Sequence, residues 1–213
     1  TKSKTMKQVL VVLLLIAGIA VNAQSDKYAD AMQKNLDMLK DAKTVAALQN
    51  VSASFQRVAD AEKTQWLPYY YAALAQAWIG YMDQSADKDA LANNARTILE
   101  KSEALETNAE TYCVRYMLAN IQMAVDPQTR WQTYGMQSTE ALQKAEELDA
   151  SNPRVYYLKG TNTFYTPEQF GGGKAKAKPI LEKSVEMFKT FEAKPMYPNW
   201  GKEDAEKMLA QCQ

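Results

Sequence analysis

The sequence predicts an all-α protein built from consecutive antiparallel helix pairs, about three to four of them, with a capping helix at each end. Three observations carry this. From Ser25 onward apolar residues recur at helical spacing, with almost no alternating, strand-like runs. Glycine and proline, 8 and 7 of 213 residues, sit at a few breaks between such stretches, as helix punctuation does. One short pattern also returns. Leu99-Glu100-Lys101-Ser102 reappears as Leu142-Gln143-Lys144-Ala145 and again as Leu181-Glu182-Lys183-Ser184. A return of this kind marks a repeat architecture.

The first 23 residues stand apart. Lys2, Lys4 and Lys7 precede the uncharged run Val9 to Val21, which ends in Val21-Asn22-Ala23 before Gln24. A basic start, a short apolar run and small residues before a cleavage point form the layout of a secretory signal peptide. The run of 13 residues is shorter than the roughly 20 needed to span a bilayer. Residues 1–23 are therefore expected to be a signal peptide, with Met6 as the start, and residues 24–213 one helical repeat domain. No cysteine lies near the cleavage point, so no lipid anchor and no stable membrane span after cleavage are expected, and the location is periplasmic or secreted.

Helices are expected over about 26–42, 44–62, 67–83, 87–106, 109–125, 129–149, 153–165, 174–191 and 202–211. The breaks between them fall at Asp83-Gln84-Ser85, Asp126-Pro127, Ser151-Asn152-Pro153 and Gly171 to Gly173. Aligning the repeat on Phe55, Leu99, Leu142 and Leu181 puts Val51, Ala95, Ser138 or Ala177 four residues earlier. Val58, Ser102, Ala145 or Ser184 stands three residues later, and Ala61, Leu105, Leu148 or Met187 six later. These offsets share one helix face. Small residues there let a neighbouring helix approach, and the large one fills the gap.

The pattern Ala95-Leu99-Ser102 and Ala177-Leu181-Ser184 resembles the second helix of a tetratricopeptide repeat (TPR). Its first-helix pattern survives in part at Tyr71-Ala72-Ala73-Leu74-Ala75, Tyr116-Met117-Leu118-Ala119 and Tyr157-Leu158-Lys159-Gly160. The repeat spacings of 44, 43 and 39 exceed the family's standard period, so helices or loops are longer here. The segment Pro167-Glu168-Gln169-Phe170-Gly171-Gly172-Gly173 resembles exported TPR-like proteins of Bacteroidota, and more distantly the periplasmic subunits associated with TRAP transporters. The resemblance implies a right-handed superhelix and a concave groove lined by the first helix of each pair. It places Tyr69 and Gln76 of the first unit, Tyr116, Asn120 and Met123 of the second, and Arg154, Tyr157, Thr161 and Phe164 of the third on that groove.

The composition narrows the chemistry. There is no histidine, which removes histidine general bases, Ser-His-Asp and Cys-His triads, and most zinc sites. Cys113 and Cys212 are the two cysteines, too few for a disulfide framework, and Cys113 reads as a small buried apolar residue with Cys212 a free thiol. No phosphate-loop, dinucleotide, EF-hand or zinc-protease motif occurs. Lys174, Lys176 and Lys178 follow three glycines without phosphate-loop spacing, so they read as a basic helix start. Lys plus Arg balances Asp plus Glu at 25 each, which does not suit a nucleic-acid partner. The expectation is a non-enzymatic scaffold that needs no cofactor or metal and binds a protein or peptide in an aromatic groove. The alternative is a small-molecule-binding component serving an envelope transporter, which requires a deep enclosed pocket with convergent polar groups instead of an open groove.

Overall fold

A computed structural model describes residues 26–213, and the expected signal peptide lies outside them. The described residues form helices and connecting turns, with no strand among them. In order, α1 covers 26–41, α2 Val45–Glu62, α3 Trp66–Met82, α4 Lys88–Leu105 and α5 Ala109–Met123. The next helical stretch has three pieces: α6 (Pro127–Arg130), a π-helical turn (Trp131–Gly135) and α7 (Met136–Leu148). Then come α8 (Pro153–Tyr165), a 3-10 turn (Glu168–Phe170), α9 (Lys174–Thr190) and α10 (Lys202–Ala210).

Local chemistry fixes the starts. The side chains of Thr44, Asp87, Asn108, Asp126 and Asn152 each accept a hydrogen bond from a backbone N–H of the helix that follows. Pro127 and Pro153 occupy first turns, where a missing N–H costs nothing. The glycine-rich link folds as a sharp reversal between α8 and α9, as expected. Gly171 and Gly173 have φ of 90° and 97°, and a Cβ on Gly172 would stand 2.1 Å from the Thr166 carbonyl oxygen. The π turn departs from the single helix that the sequence predicts over 129–149. The hydroxyls of Ser138 and Thr139 both donate to the Gly135 carbonyl, each at 2.9 Å, and compete with the regular backbone ladder there.

Helices pack as pairs: α3 with α4, α5 with α7, α8 with α9. The first helices also meet one another, α3 against α5 and α5 against α8. The anchors Phe55, Leu99, Leu142 and Leu181 are buried, as are Ala95, Ala145 and Ala177. Two pairs share a tie. Ser102 Oγ donates to the carbonyl of Trp66 (3.0 Å) and Ser184 Oγ to that of Pro153 (2.9 Å), so each second helix is pinned to the first residue of its partner. Close approach is enforced at Gly160, where a Cβ would lie 2.6 Å from Leu181 Cδ2.

The repeat alignment needs two corrections. In α2 the buried small residues are Ser52 and Ala59, while Val58 is half-buried and Ala61 exposed. The positions six past the later anchors, Leu105 and Leu148, are also exposed, because they stand in the last turn, beyond the reach of the neighbouring helix. Cys113 is buried, Cys212 is half-buried, and both thiols are free.

The segment 191–201, between α9 and α10, carries Phe191, Tyr197 and Trp200 without being helical. It runs back as a strap over the N-terminal ends of α3, α5 and α8. Tyr71 Oη donates to the Met196 carbonyl (2.9 Å), the Trp200 indole donates to Tyr70 Oη (2.8 Å), and the Tyr197 ring meets Trp66 edge-on at 5.6 Å.

Candidate functional site

Three stripes, one on each of the first helices, face a common surface. On α3 the stripe runs Trp66, Tyr70, Ala77, Tyr81; on α5 Glu110, Cys113, Tyr116, Asn120, Met123; on α8 Arg154, Tyr157, Thr161, Tyr165. Spacings of three, four and, between Tyr70 and Ala77, seven residues keep each set on one face. The N-terminal ends of the stripes are closed. There Arg154, buried, holds Glu110 with two nitrogens, Nε lying 2.8 Å from Oε2. Asn152 donates to the same carboxylate (2.6 Å), and the Tyr70 hydroxyl lies 3.5 Å from it. The strap covers this cluster, with the Arg154 guanidinium 4.6 Å from the Phe191 ring centroid and 5.8 Å from that of Trp200.

The C-terminal halves of the stripes are more open and rich in tyrosine. Tyr81 leaves 47% of its surface exposed, yet its hydroxyl is tucked in and donates to the Met117 carbonyl at 3.3 Å. Tyr116 and Tyr157 are its electrostatic neighbours across the face, and Tyr165 lies beyond Tyr157 with 70% of its surface exposed. Burial raises the Tyr81 phenol well above its ordinary value, helped by Tyr116 and Tyr157. Burial likewise raises Tyr116, and it pushes Tyr157 up to about 12 with the Asp204 carboxylate of α10 adding to it. Burial thus disfavours the phenolate form of all three; the Tyr81 O–H is spent on the Met117 carbonyl, and Tyr116 is itself buried. Asn120 and Thr161 stand on the same face, each half-buried, with side chains that donate to the carbonyls of Tyr116 (3.0 Å) and Tyr157 (2.9 Å).

Other residues taken from the groove pattern stand elsewhere. Tyr69 is buried between α2 and α4, its hydroxyl donating to the Ala59 carbonyl (3.2 Å) and Lys101 over its ring. Gln76 is buried against α2 and donates to Ser52 Oγ (3.3 Å). The stripe on α3 runs one residue further on, through Tyr70 and Ala77. Arg154 is on the expected helix face but is used up by Glu110 beneath the strap. Phe164 turns toward Ala177, Leu181 and Met208, with Lys174 Nζ 5.6 Å from its ring. Met123 is half-buried and reaches toward Gly135. Beside it the π turn leaves Trp131 and Met136 exposed. Tyr81 and Tyr165 were missing from the pattern-derived set, although both are aromatic residues in the last turns of first helices.

A surface hollow of about 690 Å³ lies between α1 and α2. Asp30, Asp37 and Asp41 line it, no aromatic ring does, and it is remote from the tyrosine face. Among the described residues no group of acidic or cysteine side chains is placed to hold a metal ion, and no helix is long and apolar enough to cross a membrane.

The described residues thus form helices and turns with a tyrosine-rich face across α3, α5 and α8. No protein-family profile matches the chain, and no curated protein matches it significantly. Among solved structures it is similar to the HusA haemophore from Porphyromonas gingivalis, with 35% identity, a TM-score of 0.80, and coverage of 87% of this chain and 92% of that one. The chain belongs to the family of that haemophore. A haemophore relative fits the small-molecule-binding alternative better than a scaffold for proteins or peptides, and it agrees with an exported protein of Bacteroidota type.

Proposed function

We propose that this protein is an exported carrier that captures a haem-like tetrapyrrole on the tyrosine face formed by Tyr81, Tyr116, Tyr157 and Tyr165. The observation that carries the reading is the 35% identity to a haemophore across nearly the whole of both chains. The face suits such a cargo. A flat aromatic macrocycle gains most from aromatic side chains that bury large area at small entropic cost. Its polar edge is served by the neutral hydroxyls and by Asn120 and Thr161. With no histidine in the chain, and with burial disfavouring the phenolate form of Tyr81, Tyr116 and Tyr157 that would bind iron, capture rests on the ring system of the cargo more than on its iron. No catalytic step is assigned to the face: the protein binds, holds and hands on. Peptide capture, the first expectation from the groove pattern, has no comparable support.

Titration of the purified protein with haemin, followed by the Soret band and by tyrosine and tryptophan quenching, tests this. Saturable binding is expected, weakened at least about tenfold in Tyr116→Ala/Tyr157→Ala. Binding by the wild type that neither saturates nor responds to these substitutions sinks the assignment.

A further inference from the structure

The aromatic inner surface continues beneath the strap. Trp66 and Tyr70 lie on the same stripe of α3 as Tyr81, but the strap lies over them. The boundary between covered and open surface falls at one contact: the Trp200 ring meets the Tyr157 ring edge-on, with centroids 6.4 Å apart and planes at 79°. Trp200 is fixed from behind. Its indole N–H is spent on Tyr70 Oη, and its carbonyl faces Arg154 Nη1 at 3.5 Å. Gly201, at φ 99°, follows at once and lets the chain turn into α10 directly against Tyr157. A Cβ there would lie 3.3 Å from Phe188, 3.4 Å from Arg154 and 3.6 Å from Tyr157.

We infer that Trp200 is the end wall of the ligand face: it holds the Tyr157 ring in place and sets how large a flat ligand the face accepts. This rests on the tetrapyrrole reading for the identity of the ligand, but not for the wall itself. A wall made of one indole discriminates by shape. A slim macrocycle slides against Tyr157, while one bearing bulky out-of-plane substituents meets the indole and is rejected. Removing the ring joins the open face to the surface over Tyr70 and relaxes the rejection, and it frees Tyr157 to move. The change removes one of the two rings beside the Arg154 guanidinium, but the hydrogen bonds between Arg154 and Glu110 do not involve the indole and Phe191 still covers the pair.

Two readouts test the wall on the full described chain. The first compares affinity for haem with affinity for meso-tetra(4-carboxyphenyl)porphyrin, whose aryl rings stand out of the macrocycle plane. In the wild type haem is favoured; in Trp200→Ala that preference falls about tenfold, while Trp200→Phe keeps most of it. The second needs no ligand. Hydroxyl-radical footprinting of the free protein is expected to show Tyr157 labelled several-fold faster in Trp200→Ala, with Tyr112, remote from the strap, unchanged. Trp200→Leu, which keeps apolar bulk, is expected to behave as Trp200→Ala and replaces it if the alanine variant does not fold. An unchanged preference with unchanged labelling of Tyr157 in a folded variant overturns the wall. Failure of the wild type to bind either porphyrin overturns the tetrapyrrole reading alone, and the labelling of Tyr157 then decides the wall by itself.

Discussion

The two halves of the molecule are joined to themselves by different means. Between α2 and α5 the helices meet through small apolar residues. Ala72, Ala73, Ala75 and Ala77 on α3 and Ala92 and Ala95 on α4 are all inaccessible, and a Cβ on Gly80 would reach 2.7 Å from Ile121 of α5. Between α5 or α7 and α8 the contact is narrower, and polar groups carry it. These are the buried Glu110–Arg154 pair, the Lys159–Glu146 ion pair and the strap folded back onto α3. Shape dominates the first joint, with the Arg115–Glu103 ion pair between α4 and α5 beside it. Charge and a chain excursion hold the second. Shape complementarity is insensitive to pH and salt, whereas a buried charge pair is costly to break by removing one partner and cheap to replace as a whole. The tyrosine face lies across the second joint, since Tyr81 and Tyr116 belong to the first half and Tyr157 and Tyr165 to the last.

The sharpest break of this comparison is Glu110→Ala, which strands the Arg154 charge in the interior. It is expected to cost about 3–5 kcal/mol in urea unfolding, with Glu110→Leu/Arg154→Met recovering most of the loss. Hydrogen exchange in that variant should rise over α8 to α10 and stay low over α2 to α5; a uniform rise would show the two joints to be one. Leu99→Ala, in the apolar half, is expected to cost about 2–5 kcal/mol through the cavity it leaves, with no dependence on ionic strength. Gly160→Ala pushes a methyl into Leu181 and is expected to cost about 1–3 kcal/mol, loosening α8 from α9. The smallest effect belongs to Glu146, whose carboxyl is lowered below its ordinary 4.5 chiefly by its hydrogen bond with Lys159. A carboxyl depressed in the folded state adds stability that is complete above pH 4.5 and is lost as pH falls through the lower folded value. The pair is partly exposed, so Lys159→Met should flatten this acid-side loss by less than about 1 kcal/mol.

Much of this was legible in the sequence, and the gaps have physical causes. Helix boundaries agree to within a residue or two because Thr44, Asp87, Asn108 and Asn152 cap them and Pro153 and the three glycines end the runs. Tyr116, Asn120, Tyr157 and Thr161 were placed by the repeat resemblance, through Leu118-Ala119 on α5 and Gly160 on α8, and the structure sets them on one face. Helix α3 has no such phase: Trp66 to Ala77 is buried without interruption, so nothing distinguishes Tyr69 from Tyr70, and the stripe was set one residue early. The strap was missed for a related reason. Its signal was compositional, with Phe191, Tyr197 and Trp200 set among Pro195 and Pro198, and aromatic residues in a non-helical stretch imply a surface to cover without saying which. The face itself needs three helices in register, which no local pattern contains.

Tyr71 and Met196 stand 125 positions apart, and Tyr70 and Trp200 130. Stacked helical repeats ordinarily earn their stability from neighbours, so they nucleate anywhere and fray from the ends. A stitch from the last fifth of the chain to α3 changes that kinetics. The loop it closes is long, its formation is slow relative to local helix pairing, and it raises the contact order of an otherwise local topology. The strap adds a long-range tie between α3 and the segment before α10, and a chain shortened before Phe191 would leave Trp66, Tyr70 and Tyr71 uncovered. The cover over α3 thus forms only after residues 191–201 have been delivered.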